Sequence, residues 1–275
     1  MLNKPVVSVS WLRENLSKPN LVILDASTSF HAEKEDKGLI PGSIRIDFKK
    51  DFSDTSSEFP NTFPSKDLMN ESARKLGIHE GSIVVVYDDK GIYTSPRIWW
   101  LFKTFGHKNV AVLDGGLPAW NSSDFEVVLE YKKVENEGDF EAELNENALK
   151  SYDEVVKNSL SQTGVLLDAR SKGRFEGVDP EPRATLQSGS IPNSCSLAYT
   201  EVLANGHFKS EEDLKGVFSG LVNKNDSLIF SCGSGITACI ILLAADLVLE
   251  NEKTLFDGSW TEWAIKQNLT IETNG

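Results

Sequence analysis

Cysteine is scarce in this chain. There are three, Cys195, Cys232 and Cys239, and no CxxC pair. An odd, low count of this kind argues against a disulfide framework and against a zinc site, and it suits a reducing compartment. Positive charge is also short. Lys and Arg number 28 against 41 Asp and Glu, a formal net charge of −13. Nucleic acid and anionic membrane both need a basic face, so neither is expected as a partner. A small anionic substrate would need a local cationic pocket set against the global field. Long apolar runs are missing too. The longest, Ala238 to Leu249, is interrupted by Asp246 and is too short to span a bilayer. The opening segment MLNKPVVSVSWLREN has neither an apolar stretch of signal-peptide length nor an Arg-rich character. The expected location is the cytoplasm. Hydrophobic residues at 40% and charged residues at 25% are the profile of a globular protein.

What the chain does contain is a repeat. LVILDAS (21–27) returns as GVLLDAR (164–170), with Asp25 and Asp168 143 positions apart. LIPGSI (39–44) returns as SIPNSC (190–195), and SIVVVYDDKGIYTS (82–95) as SLIFSCGSGITAC (227–239). VLDGGLPAW (112–120) returns as LFDGSWTEW (255–263), with Asp114 and Asp257 again 143 apart. Four matches in one order at a nearly constant offset mean two homologous domains. Their expected extents are 1–128 and 149–275, joined by an acidic, polar linker over 129–148. In each half short β-branched runs alternate with helical segments such as 95–106 and 235–251. Strand runs apolar on both faces and separated by helices predict an α/β fold, a parallel sheet flanked by helices in each domain.

Ligands bind such sheets at the carboxyl ends of the strands. Cys232 stands at such an end in the second half, and the repeat places Asp88 at the same point in the first. One half thus keeps a nucleophile where the other has an acid, which predicts one catalytic domain and one non-catalytic domain. The thiolate is the reactive form of cysteine, and a free thiol titrates only at about 8.5. Cys232-Gly233-Ser234-Gly235-Ile236-Thr237 leads directly into a helix. Its glycines let backbone N–H groups curl toward one centre, and the helix start adds partial positive charge. That loop would stabilise a thiolate, a terminal persulfide sulfur or a bound anion. A buried cysteine packing a strand end is the plain alternative. A phosphatase loop would need an arginine six positions after the cysteine, where Ala238 stands. A cysteine protease would need a partner among His31, His79, His107 and His207, of which His79 and His107 fall in turns.

SCGSGITA resembles the active-site loop of the 3-mercaptopyruvate sulfurtransferases, members of the two-domain rhodanese superfamily. The similarity also runs through SPRIWWLFKTFGHKNVAVLDGG (95–116), GRFEGVDPEPR (173–183) and DGSWTEWA (257–264). It implies tandem rhodanese-like domains with an inactive first and an active second member. It also implies Cys232 as nucleophile, Ser234 as a further catalytic residue, and Arg174 and Arg183 as the grip on a substrate carboxylate. Loop residues 233–237 would line the substrate site. The implied reaction moves sulfur from 3-mercaptopyruvate through a Cys232 persulfide to a thiol, thioredoxin or cyanide, with release of pyruvate and no metal or organic cofactor. A guanidinium suits the task, since it can hold a carboxylate through two parallel hydrogen bonds. Thiosulfate is the alternative donor. Members that prefer it carry a basic pair after the cysteine, where this chain has Gly233 and Ser234. A non-catalytic sulfur-carrier or partner-binding module is the reading from another class. The family's histidine before the IPG of the first half is Leu39 here and before the second is Ser190. Leu39 cannot act as a base on Ser234. Other residues have plain readings: Cys239 and Trp99, Trp100, Trp260 and Trp263 as core or packing residues, Cys195 as a small buried strand residue, and Arg170 as half of a structural ion pair.

Overall fold

The computed structural model describes residues 2–28 and 38–270; His31 lies outside them. It divides into two compact units. One comprises Met1–Asp54, Phe63–Asn145 and Ala204–Phe208, the other Thr55–Thr62, Glu146–Leu203 and Lys209–Gly275. The short segment 55–62 belongs by sequence to the first repeat, yet it clusters with the second unit.

The first unit contains β1 (Val6–Val7), α1 (Val9–Asn15), β2 (Leu21–Asp25), β3 (Ser43–Arg45), α2 (Phe48–Asp51), α3 (Lys66–Lys75), β4 (Ile83–Tyr87), α4 (Ser95–Thr104), β5 (Val110–Leu113) and α5 (Gly116–Ser122). Its five strands pair in parallel in the order β1-β5-β4-β2-β3. The second unit repeats the plan with β6 (Leu149–Lys150), α6 (Tyr152–Ser161), β7 (Gly164–Asp168), α7 (Lys172–Phe175) and β8 (Ser194–Ser196). The short strands β9 (Leu203–Ala204) and β10 (His207–Phe208) come next in the chain, with Ala204–Phe208 clustering with the first unit; the second unit then continues with α8 (Glu211–Ser219), β11 (Ser227–Ser231), α9 (Ala238–Val248), β12 (Lys253–Phe256) and α10 (Ser259–Lys266). The order β6-β12-β11-β7-β8, again all parallel, is the same as that of the first sheet. Both sheets are flanked by helices, as the alternating pattern predicts.

Burial explains the pattern. All five residues of β2 and of β4 are buried, so each strand is apolar on both faces. Helix α9 is buried over every residue from Ala238 to Ala245, which accounts for its lack of a polar face. Helix starts are marked by serines. Ser8, Ser65, Ser151 and Ser210 each accept a backbone N–H with the side-chain oxygen, and Ser151 with Glu154 completes a capping box. Residues 129–145 are tied to the first unit. The Tyr131 hydroxyl donates to Asp25 Oδ2 at 2.9 Å, Arg74 Nε donates to the Phe140 carbonyl at 2.8 Å, and Phe140 and Ala142 are buried. Among the described residues no helix is long and apolar enough to cross a membrane.

Candidate active site

Strand register puts Asp88 and Cys232 at equivalent places. In the first sheet Asp25 pairs with Tyr87, and the Ala26 N–H donates to the Tyr87 carbonyl at 2.8 Å. In the second, Asp168 pairs with Ser231, and the Ala169 N–H donates to the Ser231 carbonyl at 2.8 Å. The next residue is Asp88 in one sheet and Cys232 in the other. Three residues further on, Gly91 and Gly235 both take the left-handed backbone region, with φ of 95° and 78°.

The Cys232 thiol is buried, and all three cysteines are thiols. Its N–H donates to Ser259 Oγ at 3.1 Å, and that oxygen lies 4.0 Å from the Cys232 sulfur. Ser259 is a non-glycine residue at φ 53°, which places its hydroxyl between the Cys232 N–H and the Phe256 carbonyl, 2.9 Å away. The start of α10 then holds the loop from beneath: the Trp260 N–H donates to the Cys232 carbonyl at 3.0 Å and the Thr261 N–H to the Gly233 carbonyl at 3.1 Å. Gly233, Ser234, Ile236 and Thr237 are half-buried, Gly235 is buried, and α9 begins at Ala238.

Both arginines of the GRF…EPR segment come to this loop. A Cβ added to Gly233 would lie 3.0 Å from Arg174 Nη2, so the guanidinium occupies the space that a larger residue would take. Arg183 Nη1 donates to Thr261 Oγ1 at 3.3 Å, and the same hydroxyl donates to the Gly233 carbonyl at 2.6 Å. Burial holds the Arg183 guanidinium below its ordinary pKa, an effect that Cys232 and Glu181 oppose and that Arg174 reinforces. A Cβ added to Gly173 would meet the exposed Asp179 carboxylate, which would have to turn aside.

The two arginines differ in their partners. Arg174 is forked onto the buried Glu181, with Nε at 3.2 Å from Oε1 and Nη2 bonded to Oε2. Glu181 also accepts from Arg170 Nη1 at 2.8 Å. Arg170 is fully enclosed: it bonds Asp168 through Nε and Nη2, donates to the Gly189 carbonyl at 2.6 Å, and stacks on Trp260 at 4.5 Å from the ring centre. It is the structural ion pair expected of it. Cys239 and the four tryptophans are buried. Cys195 lies on β8 as expected but is only half-buried, because β8 is the edge of its sheet and every residue of it is partly exposed.

Ser234 has a partner that the motifs did not point to. Asn61 Nδ2 donates to Ser234 Oγ at 2.9 Å and to the Ser234 carbonyl at 3.2 Å. Leu39 is enclosed in the core and exchanges backbone hydrogen bonds with Val128. Sequence reasoning also passed over Ser259 and Thr261. They lie within the repeated DGSWTEW motif, but their side chains reach the loop only through the fold. Among the described residues no group of three or more His, Cys, Asp or Glu side chains could hold a metal ion.

A doubled parallel sheet with a cysteine at one strand end and an aspartate at the other defines a class, and comparison with known proteins places it. The family model for the rhodanese-like domain matches twice, at residues 8–123 and 151–266. The chain belongs to the rhodanese family, in its two-domain form. It is 34% identical over 276 residues to 3-mercaptopyruvate sulfurtransferase of Escherichia coli (strain K12), covering 97% of each chain. It is 36% identical over 277 residues to thiosulfate sulfurtransferase of Rattus norvegicus, covering 96% of this chain and 93% of that protein. The crystal structure of SseA from Escherichia coli, a 3-mercaptopyruvate sulfotransferase, superposes with a TM-score of 0.82 at 33% identity, covering 94% of this chain and 99% of that one.

Proposed function

We propose that this protein transfers sulfur from 3-mercaptopyruvate to a thiol-type acceptor through a persulfide on Cys232. The observation that carries the proposal is the pair of guanidiniums beside the Cys232 loop, Arg174 against Gly233 and Arg183 sharing Thr261 with the Gly233 carbonyl. A donor with a carboxylate on one side of a ketone and sulfur on the other matches that arrangement. Arg183 is the stronger candidate for the carboxylate, since the Arg174 fork is already matched to Glu181.

The chemistry has two halves. The Cys232 thiolate attacks the donor's sulfur, forming an S–S bond as the donor's C–S bond breaks. The bond pair leaves on carbon as the enolate of pyruvate. The donor's S–H proton accounts for the third hydrogen of the pyruvate methyl, and Cys232 is left as an ionised persulfide. Once protonated, the persulfide gives its outer sulfur to a thiolate or cyanide, forming a new persulfide or thiocyanate and returning the Cys232 thiol. Ping-pong kinetics follow from such a covalent intermediate. The Asp88 loop supports the role given to the Cys232 loop. At the matching position, backbone N–H groups of Lys90, Tyr93, Thr94 and Ser95 converge on one side-chain anion at 2.9–3.0 Å. No metal or organic cofactor enters either half-reaction. Cytoplasm suits a thiol enzyme of this kind.

The test is turnover of mercaptopyruvate and thiosulfate side by side, with mass spectrometry after donor treatment. We expect higher kcat/KM for mercaptopyruvate and one added sulfur on Cys232. A preference for thiosulfate would move the assignment to the alternative donor. Sulfur on Cys195 or Cys239, or on no cysteine, would overturn the site.

A further inference from the structure

We propose that Asn61 is a positioning residue that fixes the Ser234 hydroxyl as a hydrogen-bond donor toward the carbonyl oxygen of the sulfur donor. The proposal rests on the reading of Cys232 as the nucleophile for 3-mercaptopyruvate. Its starting point is the direction of one hydrogen bond. The Asn61 amide faces two oxygens of Ser234, the hydroxyl at 2.9 Å and the backbone carbonyl at 3.2 Å. A carbonyl can only accept, so the atom facing it must be the NH2 group and not the amide oxygen. The same NH2 group then donates to Oγ. Ser234 therefore accepts from Asn61, and its own hydrogen points elsewhere.

Asn61 is held firmly enough for this task. It takes φ 60°, a left-handed backbone that Asn tolerates better than most residues. The turn before it is tied by its own side chains. Thr62 Oγ1 donates to Ser57 Oγ and to the Phe59 carbonyl, both at 2.8 Å, and the Phe59 N–H donates to Ser57 Oγ at 3.1 Å. Lys266 Nζ lies 5.7 Å from the Phe59 ring centre. These residues cluster with the second unit, which also carries Ser234.

A hydroxyl that accepts one hydrogen bond becomes a better donor of its own. As the donor's C–S bond breaks, negative charge collects on the carbonyl oxygen of the departing enolate. A preset O–H on the loop, two residues after the nucleophile, would stabilise that charge more than the neutral ketone, so the effect falls on kcat. An amide has no basic nitrogen, so Asn61 takes no proton from Ser234. It orients the hydroxyl and nothing more.

The experiment compares Asn61→Asp, Asn61→Ala, Ser234→Ala and the double variant Asn61→Asp/Ser234→Ala, with Cys232→Ser as the control for the site. Asn61→Asp keeps the shape but turns the donor into an acceptor, so the Ser234 hydrogen is drawn away from the substrate. Expected is a loss of about 10- to 150-fold in kcat for mercaptopyruvate with KM little changed, matched by Ser234→Ala. Asn61→Ala should lose less, because the hydroxyl is then released and not reversed. The double variant should be no worse than Ser234→Ala alone. Thiosulfate, which has no carbonyl, should lose less than mercaptopyruvate in every variant. Asn61→Asp within threefold of wild type would overturn the proposal. So would additive losses in the double variant, which would mean that the new charge acts on Cys232 directly. If Cys232→Ser still turns over, the reading of the site fails and this inference goes with it. If Cys232→Ser is dead and Asn61→Asp is active, only the role of Asn61 fails.

Discussion

Asp88 and Cys232 follow the same strand in two copies of one sheet, and the loops after them have diverged in what they enclose. The Asp88 carboxylate is saturated. Four backbone N–H groups reach it, and the Ser95 hydroxyl donates to Oδ2 at 2.6 Å. An anion is built into the first loop, and it blocks the place where another could bind. Cys232 offers a smaller, polarisable atom in the second loop, with Ser259 Oγ at 4.0 Å. The residues two positions after the paired aspartates diverge as well. In the first unit Asp25 accepts from the N–H and hydroxyl of Ser27 and from Tyr131, with Arg45 Nη1 at 3.8 Å. In the second, Arg170 carries the charge of Asp168 on to Glu181 and so to Arg174 at the loop. With Cys232 as the proposed nucleophile, the lesson is that one loop frame can hold either a built-in carboxylate or a thiol. The choice is made by the first side chain and by the charges brought up to it.

The sharpest way to break this comparison is to remove each loop's first side chain. Cys232→Ser should lower sulfur transfer by about 10⁴-fold or more while leaving the unfolding midpoint near that of wild type, since the nucleophile goes but the volume stays. Asp88→Ala should do the reverse. It orphans the buried N–H groups of Thr94 and Ser95, at a cost of about 2 kcal/mol or more to the first unit, while kcat/KM stays within about threefold. Urea unfolding and steady-state rates on both variants decide it. A large activity loss in folded Asp88→Ala would show that the first loop works in catalysis.

A smaller effect tests the charges. Losing a hydrogen bond to a charged group costs about 1.5–3 kcal/mol, so Arg183→Ala should lower kcat/KM for mercaptopyruvate roughly 10- to 150-fold. Arg183→Lys should recover only part, because an ammonium lacks the planar fork. Arg174→Ala also strips Glu181 of a partner, so it should lower the unfolding midpoint as well as the rate. Thiosulfate should lose less in the Arg183 variants. Equal losses for both donors would mean that Arg183 acts on the sulfur centre and not on the carboxylate.

The smallest effect concerns the strand before each loop. In the first unit His107 Nε2 donates to the Ser82 carbonyl, 3.1 Å away, just ahead of β4. In the second, Asn251 Nδ2 does the same for the Asp226 carbonyl at 2.8 Å, just ahead of β11. Only the histidine titrates. Burial holds His107 below its ordinary value of 6.5. As pH falls through about 6.5 the unfolded chain takes up a proton that the folded chain resists, so stability is full above that pH and declines below it. Urea midpoints at pH 7.5 and 5.5 should differ less in His107→Asn, which copies the second unit, than in wild type. An unchanged difference would remove His107 from the account.

Much of this was legible in the sequence because it repeats or has a period. The 143-residue offset, the strand runs buried on both faces and the glycine loop after Cys232 all report local backbone demands, and the fold follows from them. Arg174 and Arg183 were legible because they share a short segment with the glycines and prolines that shape it. Asn61, Ser259 and Thr261 were not. Asn61 lies 173 positions from the serine that it holds, and a polar residue in a loop carries no periodic signal of what it will meet. The division of labour between the arginines was also hidden, because Glu181 could have paired with either. Only chain packing decided that Arg174 would be matched by a buried carboxylate and Arg183 set against Thr261 of the loop's support, since burial and distance set the strength of a charge pair and neither is written in residue order.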